Sequence, residues 1–164
     1  MSKYQRGLVI GRFQPFHLGH KYLIEKALEI SEKIIIGIGS ANKKDSVNPW
    51  QADERKMMLE EFVKQENLEK RVIEIIKLND NPDDDVWFEN LIKKTGTFDV
   101  TVGNNAWNNG IIARHGIPAV TIGFYERHRL EGIRIRQLMS LNKKWEDRVP
   151  EYLVLLVKKS FDLP

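Results

Sequence analysis

Gly11-Arg12-Phe13-Gln14-Pro15-Phe16-His17-Leu18-Gly19-His20 decides the reading of this chain. The apolar run Gly7-Leu8-Val9-Ile10 precedes it and reads as a buried strand. Lys21–Ser31 follows, with Leu23, Ile24, Ala27 and Leu28 at helical spacing. The stretch is therefore the turn between a first strand and a first helix. In an open parallel α/β sheet such a turn lies at the carboxyl edge, where ligands bind. His17 and His20 stand three apart and project from nearly one side of the helix's first turn. The unpaired N–H groups there favour an anion, and Arg12 adds a fixed positive charge. Gly11 and Gly19 lie in the same turn, and Gly19 lets the backbone come close to a ligand. Two of the chain's four histidines thus sit in a phosphate cradle. A metal site needs more ligands, and with no cysteine and no third histidine nearby it is discounted.

The remaining sequence supplies the rest of the sheet. Lys33–Ile38 reads as a second strand, Arg71–Lys77 as a third, Phe98–Val102 as a fourth and Ala119–Ile122 as a short fifth. Helices are expected from Asp53 onward, with Met58, Leu59 and Phe62 inward, over Val86–Lys94, and, poorly, over Asn104–Arg114. Gly123–Arg129 reads as a loop, Ile133–Leu141 as a helix and Val149–Lys159 as a last amphipathic helix. Strands alternating with helices predict an α/β fold, a doubly wound parallel sheet with helices on both faces. Right-handed crossovers leave few topologies, and the order 3-2-1-4-5 puts the turns after strands one and four side by side. No linker, repeat or low-complexity segment divides the chain, so residues 1–164 are expected to form one domain.

Composition narrows the class. The chain has 164 residues, 41% hydrophobic and 30% charged, with net charge +3. Twenty-six basic residues are interspersed with 23 acidic ones. That balance suits anionic small molecules and does not by itself call for nucleic acid. No apolar run approaches the roughly 20 residues that cross a membrane. The polar Met1–Arg6 leads straight into a strand, so no secretory signal is expected. Zero cysteines exclude disulfides and thiolate chemistry, and a cytoplasmic protein is the simplest fit. Assembly into a homo-oligomer is left open.

Gly37-Ile38-Gly39-Ser40-Ala41-Asn42 imitates the dinucleotide fingerprint G-x-G-x-x-G, but Asn42 stands at the third glycine and polar loop follows. The fingerprint needs a helix there for its pyrophosphate, so hydride transfer is rejected. Arg55 sits in the first turn of a helix, against the dipole, which points to an anionic partner. Arg127, Arg129, Arg134 and Arg136 lie within ten residues and form an anion-binding set.

His17-Leu18-Gly19-His20 resembles the HxGH signature of the nucleotidyltransferase superfamily, and the whole of Gly11–His20, Phe13 included, resembles the archaeal-type nicotinamide-nucleotide adenylyltransferases. Asn48-Pro49-Trp50-Gln51-Ala52-Asp53-Glu54-Arg55 resembles that family's NPFxxxER segment, and Trp145-Glu146-Asp147-Arg148-Val149-Pro150 its WEDLVP. The resemblance spans about Gly7 to Lys159 and implies a Rossmann-like nucleotidyltransferase fold. It implies adenylyl transfer from ATP, carried with Mg²⁺, to nicotinamide mononucleotide, giving NAD and pyrophosphate. On that resemblance His17, His20, Arg12 and Arg136 act on the ATP phosphates. Gly11, Phe13, Gly19, Arg55, Arg134 and the Gly103-Asn104 pair bind the nucleotide. Asp80, Asn81 and Trp87 hold the nicotinamide end, Trp87 by stacking. Two positions depart from the late motif, where Glu131 replaces a serine and Ile133 a threonine. Glu131 is expected to repel phosphate unless Arg127, Arg129 or Arg134 neutralises it, so ATP is expected to be held less tightly. An adenylyltransferase for FMN or phosphopantetheine is the nearest alternative, and a nucleotide-binding regulator with little turnover is one of another class.

Overall fold

In the computed structural model, which describes residues 2–161, five parallel strands form one sheet. The strands are β1 (Tyr4–Gly11), β2 (Ser31–Ile38), β3 (Val72–Lys77), β4 (Val100–Gly103) and β5 (Ala119–Thr121). Their order is β3-β2-β1-β4-β5, as the sequence predicts. Register pairs Val9 with Ile36 and Leu8 with Ile35 and Thr101. The helices are α1 (Leu18–Ile30), α2 (Ala52–Gln65), α3 (Asp84–Thr95), α4 (Ala106–Arg114), α5 (Arg127–Leu130), α6 (Gly132–Ser140) and α7 (Val154–Ser160).

The period of two along each strand sorts the core into two layers. Val9, Ile34 and Ile36 face Leu23 and Ile24 of α1, Met58 and Phe62 of α2, and Ile135 of α6. Leu8 and Ile35 face Trp87 and Leu91 of α3 and Ile111 and Ile112 of α4. Ile34, Ile35 and Ile36 are all fully buried, as a central parallel strand covered on both faces requires.

Several boundaries differ from expectation, and three have a local cause. The first helix starts at Leu18 and not Lys21, because His17 and His20 cap it. The expected loop over 123–129 carries the four-residue α5, too short to show periodicity. The expected single helix over Val149–Lys159 is broken. Single 3₁₀ turns form at Glu146–Arg148 and Glu151–Leu153, and only Val154–Ser160 is α-helical. Pro150 is the reason: it lacks an N–H and holds Val149 extended (φ −121°, ψ 158°). No described helix is long and apolar enough to cross a membrane.

Candidate active site

The turns after β1 and β4 meet at the carboxyl edge of the sheet, and a cleft of about 490 Å³ opens there. That size suits a small-molecule ligand. His17, His20, Arg12 and Arg136 all line it, so the four residues expected to act on phosphate come together.

The histidines are locked by the start of α1. His17 is the N-cap, and its Nδ1 accepts the Gly19 N–H at 3.0 Å. The His17 N–H in turn donates to His20 Nδ1 at 3.1 Å. The rings stack with centroids 3.7 Å apart. Because each Nδ1 accepts a hydrogen bond, the pattern assigns the proton to Nε2 in both rings. His17 is buried, and burial, with the charge of Arg136, lowers its pKa to about 3. His20 falls well below the usual histidine value through burial and then through His17. Both are neutral N–H donors at pH 7.

Glycine at position 19 lines the cleft, as expected, and has a second reason. A Cβ there would lie 2.8 Å from Cε1 of His17, so the residue is glycine to admit the histidine ring. Phe13 lines the cleft, as expected, and also packs against His20. It is buried, with φ 55°, and its ring meets that of His20 at 4.7 Å. It supports the histidine from beneath.

Arg55 corrects a prediction. It is fully buried and does not line the cleft. Its guanidinium donates to the carbonyls of Arg12 (2.9 Å), Gly39 (2.8 Å), Ser40 (3.2 Å) and Gln51 (3.4 Å). Burial, and then the Arg12 charge, lower its pKa to about 10. The residue ties the turns after β1 and β2 together, with four of its N–H donors on backbone carbonyls.

The third wall comes from α6. Arg136 is buried along its stem and donates from Nη1 to the Gln14 carbonyl at 2.6 Å. Its pKa is lowered by burial and then by Arg12. A Cβ at Gly132 would fall 2.8 Å from that same carbonyl, so only glycine lets α6 approach the turn this closely. Gln14 was not foreseen as a site residue. Its buried side chain exchanges two hydrogen bonds with the backbone of Trp50, at 2.9 and 3.0 Å. It thereby joins the β1 turn to the 40–50 loop.

The four clustered arginines divide. Arg127 and Arg136 line the cleft. Arg129 faces Asp147 at 3.6 Å and Glu126 at 3.7 Å. Arg134 is exposed on α6 and does not line the cleft, contrary to expectation. Of the three candidates, Arg127 is the one that pairs with Glu131, at 2.8 Å. The Trp145–Pro150 stretch acts from behind, where Arg148 donates to the Arg129 carbonyl at 2.8 Å.

Asp80 and Trp87 line the same cleft. The Asp80 carboxylate accepts from Ser40 Oγ at 3.0 Å and faces Lys43 Nζ at 3.7 Å. Trp87 is packed in the second core layer and still lines the cleft. Asn81 does not line it; its side chain accepts the Asp83 N–H at 2.9 Å in an Asx turn. Asn104 lines the cleft, but Gly103 does not, and its carbonyl takes Asn109 Nδ2 and the Ile122 N–H. Asn105 and Asn108, in which the sequence shows no message, also line the cleft. The signal for Asn105 was its N-cap position, where its side chain accepts the Asn108 N–H at 3.1 Å. Among the described residues no group of three or more His, Asp or Glu side chains could hold a metal ion.

Comparison with known proteins agrees with this geometry. The family model described as Cytidylyltransferase-like matches residues 8–102. A nicotinamide-nucleotide adenylyltransferase of Haloarcula marismortui is 34% identical, over 94% of this chain and 81% of that protein. Another from Archaeoglobus fulgidus is 32% identical, over 94% of this chain and 91% of that one. Among solved structures, a bifunctional NMN adenylyltransferase/ADP ribose pyrophosphatase from Francisella tularensis superposes with TM-score 0.74 at 25% identity. The match covers 89% of this chain and 45% of that longer one. With the cradle of His17 and His20, the 3-2-1-4-5 sheet and these relatives together, the chain belongs to the archaeal-type nicotinamide-nucleotide adenylyltransferases of the cytidylyltransferase-like family.

Proposed function

We propose that the chain transfers the adenylyl group of ATP to nicotinamide mononucleotide, giving NAD and pyrophosphate. One observation carries this reading: two neutral imidazole donors and two arginines line one cleft together with Trp87 and Asp80. An oxygen of the mononucleotide phosphate attacks the α-phosphorus of ATP in line. The bond from that phosphorus to the bridging oxygen breaks, and pyrophosphate leaves with the electron pair. No protein nucleophile is needed, so catalysis is positioning and charge stabilisation. The Nε2–H groups of His17 and His20 donate to the phosphates, with His20 nearer the α-phosphate. Being neutral, they stay donors without losing a proton. Arg12 and Arg136 take the β and γ groups. Trp87 presents its ring to the cationic pyridinium, a favourable contact. Asp80 adds negative charge beside that cation.

Mg²⁺ enters with ATP as part of the substrate. The described residues offer it no cage of acidic side chains, and this ion ordinarily takes phosphate and water oxygens in such sites. On this proposal the chain works as one nucleotidyltransferase domain in the cytoplasm.

The test mixes the protein with ATP, Mg²⁺ and one acceptor at a time: nicotinamide mononucleotide, its acid form, FMN or phosphopantetheine. Pyrophosphate and NAD from the first are expected. Turnover with FMN or phosphopantetheine alone reassigns the acceptor. ATP binding with no pyrophosphate from any acceptor makes the chain a sensor.

A further inference from the structure

Where α5 meets α6, on the lining of the cleft, stands an ion pair. Arg127 Nε lies 2.8 Å from Glu131 Oε1. The Arg127 guanidinium also sits over the Phe124 ring, 4.0 Å from its centroid. All three residues line the cleft. Glu131 is the N-cap of α6, where a carboxylate commonly binds the helix's free N–H groups. Here it makes no such cap and turns to Arg127 instead. The contact uses only Nε. Among the described residues the two Nη groups of Arg127 have no protein partner. A planar fork fixed at its base, with its prongs unspent, is the geometry that grips a phosphate in bidentate fashion.

We propose that Glu131 is a positioning residue: its carboxylate fixes Arg127 by Nε, so that the Nη fork of Arg127 meets the terminal phosphates of the nucleoside triphosphate. This reading rests on the adenylyl-transfer assignment and reverses the sequence expectation for Glu131. A carboxylate beside an anionic ligand costs Coulomb energy. Here that charge is offset by its own arginine, and an ordered guanidinium loses less freedom when phosphate arrives. The two accounts predict opposite signs for removing the carboxylate.

The test is titration calorimetry of the intact chain with the α,β-methylene analogue of ATP and Mg²⁺, and separately with AMP. Glu131→Ala is expected to weaken binding of the analogue by roughly 3- to 10-fold, the range of an exposed but geometrically fixed ion pair. AMP, which lacks the outer phosphates, should bind unchanged. Arg127→Ala should show the same pattern, and the double variant should be no worse than Arg127→Ala alone. Glu131→Gln keeps an oxygen acceptor for Nε and should recover much of the loss. Unchanged or tighter binding of the analogue by Glu131→Ala overturns the proposal. So does equal weakening for AMP, or a Glu131→Ala loss that persists in full without Arg127. If the wild type binds neither nucleotide, the adenylyl-transfer reading itself fails. If the wild type binds both and the variants match it, only the role of Glu131 fails.

Discussion

The backbone N–H of His17 donates to Nδ1 of His20, while Nδ1 of His17 accepts the N–H of Gly19. Helix capping and the setting of the two ring tautomers are thus one arrangement. The bonds that close the first turn of α1 also fix both imidazoles in the tautomer that carries its proton on Nε2.

His20 carries the transition-state part of this account. His20→Ala should lower kcat on the order of 10²-fold, as loss of one oxyanion donor does, and raise KM for ATP much less. Steady-state kinetics of the folded variant decide it. A near-normal kcat removes His20 from the chemistry.

The same burial makes the site acid-sensitive. The His17 pKa is lowered from 6.5 to about 3 in the fold, and that of His20 is lowered too. Below about pH 6.5 the unfolded chain therefore binds protons that the folded chain does not. Stability should be flat above that point and fall beneath it, by up to ~1.4 kcal/mol per pH unit per histidine. Denaturant titrations from pH 7 down to pH 4 should show the decline, and His17→Gln/His20→Gln should flatten it. An equal decline in that double variant assigns the effect to other groups.

Arg55 is predicted to act on stability. Its removal leaves the carbonyls of Arg12, Gly39, Ser40 and Gln51 without their donor in a buried place. Arg55→Ala should cost about 3 kcal/mol or more, measured by urea unfolding. A fully stable variant that had lost only ATP affinity would restore the phosphate-binding role.

Trp87 has a packing role and a proposed stacking role to separate. Trp87→Ala should destabilise the second core layer by about 3 kcal/mol or more, as large-to-small core changes do. Trp87→Phe keeps most of the packing with a weaker ring for cations. It should leave ATP binding unchanged and weaken mononucleotide binding, within the ~1–2 kcal/mol span of such contacts. Equal mononucleotide affinity in Trp87→Phe leaves Trp87 a core residue only.

The sheet was legible because its signals are local. Leu8–Ile10 and Ile34–Ile36 are short apolar runs, and the turn at Gly11–His20 carries its own chemistry. The strand order followed from chirality and the need to bring two turns together. The candidate site was legible where a residue's place is set by its own turn, as for His17 and His20, which line the cleft. It was not where a partner lies far along the chain. Arg55 reads as an anion binder because its backbone partners, the Arg12 and Gly39 carbonyls, leave no mark in sequence. Gln14 gives no hint that it faces Trp50. Asn81 reads as a ligand, but its closest claimant is the N–H two residues on.

Adenylyl transfer at the His17 and His20 cradle is tested most directly by following label from ATP with nicotinamide mononucleotide and Mg²⁺. The account predicts that α-³²P appears in NAD and γ-³²P in pyrophosphate, in equal amounts, and that both fall together in His20→Ala. Gamma label on the mononucleotide, or label transfer unaffected by loss of His20, would contradict it.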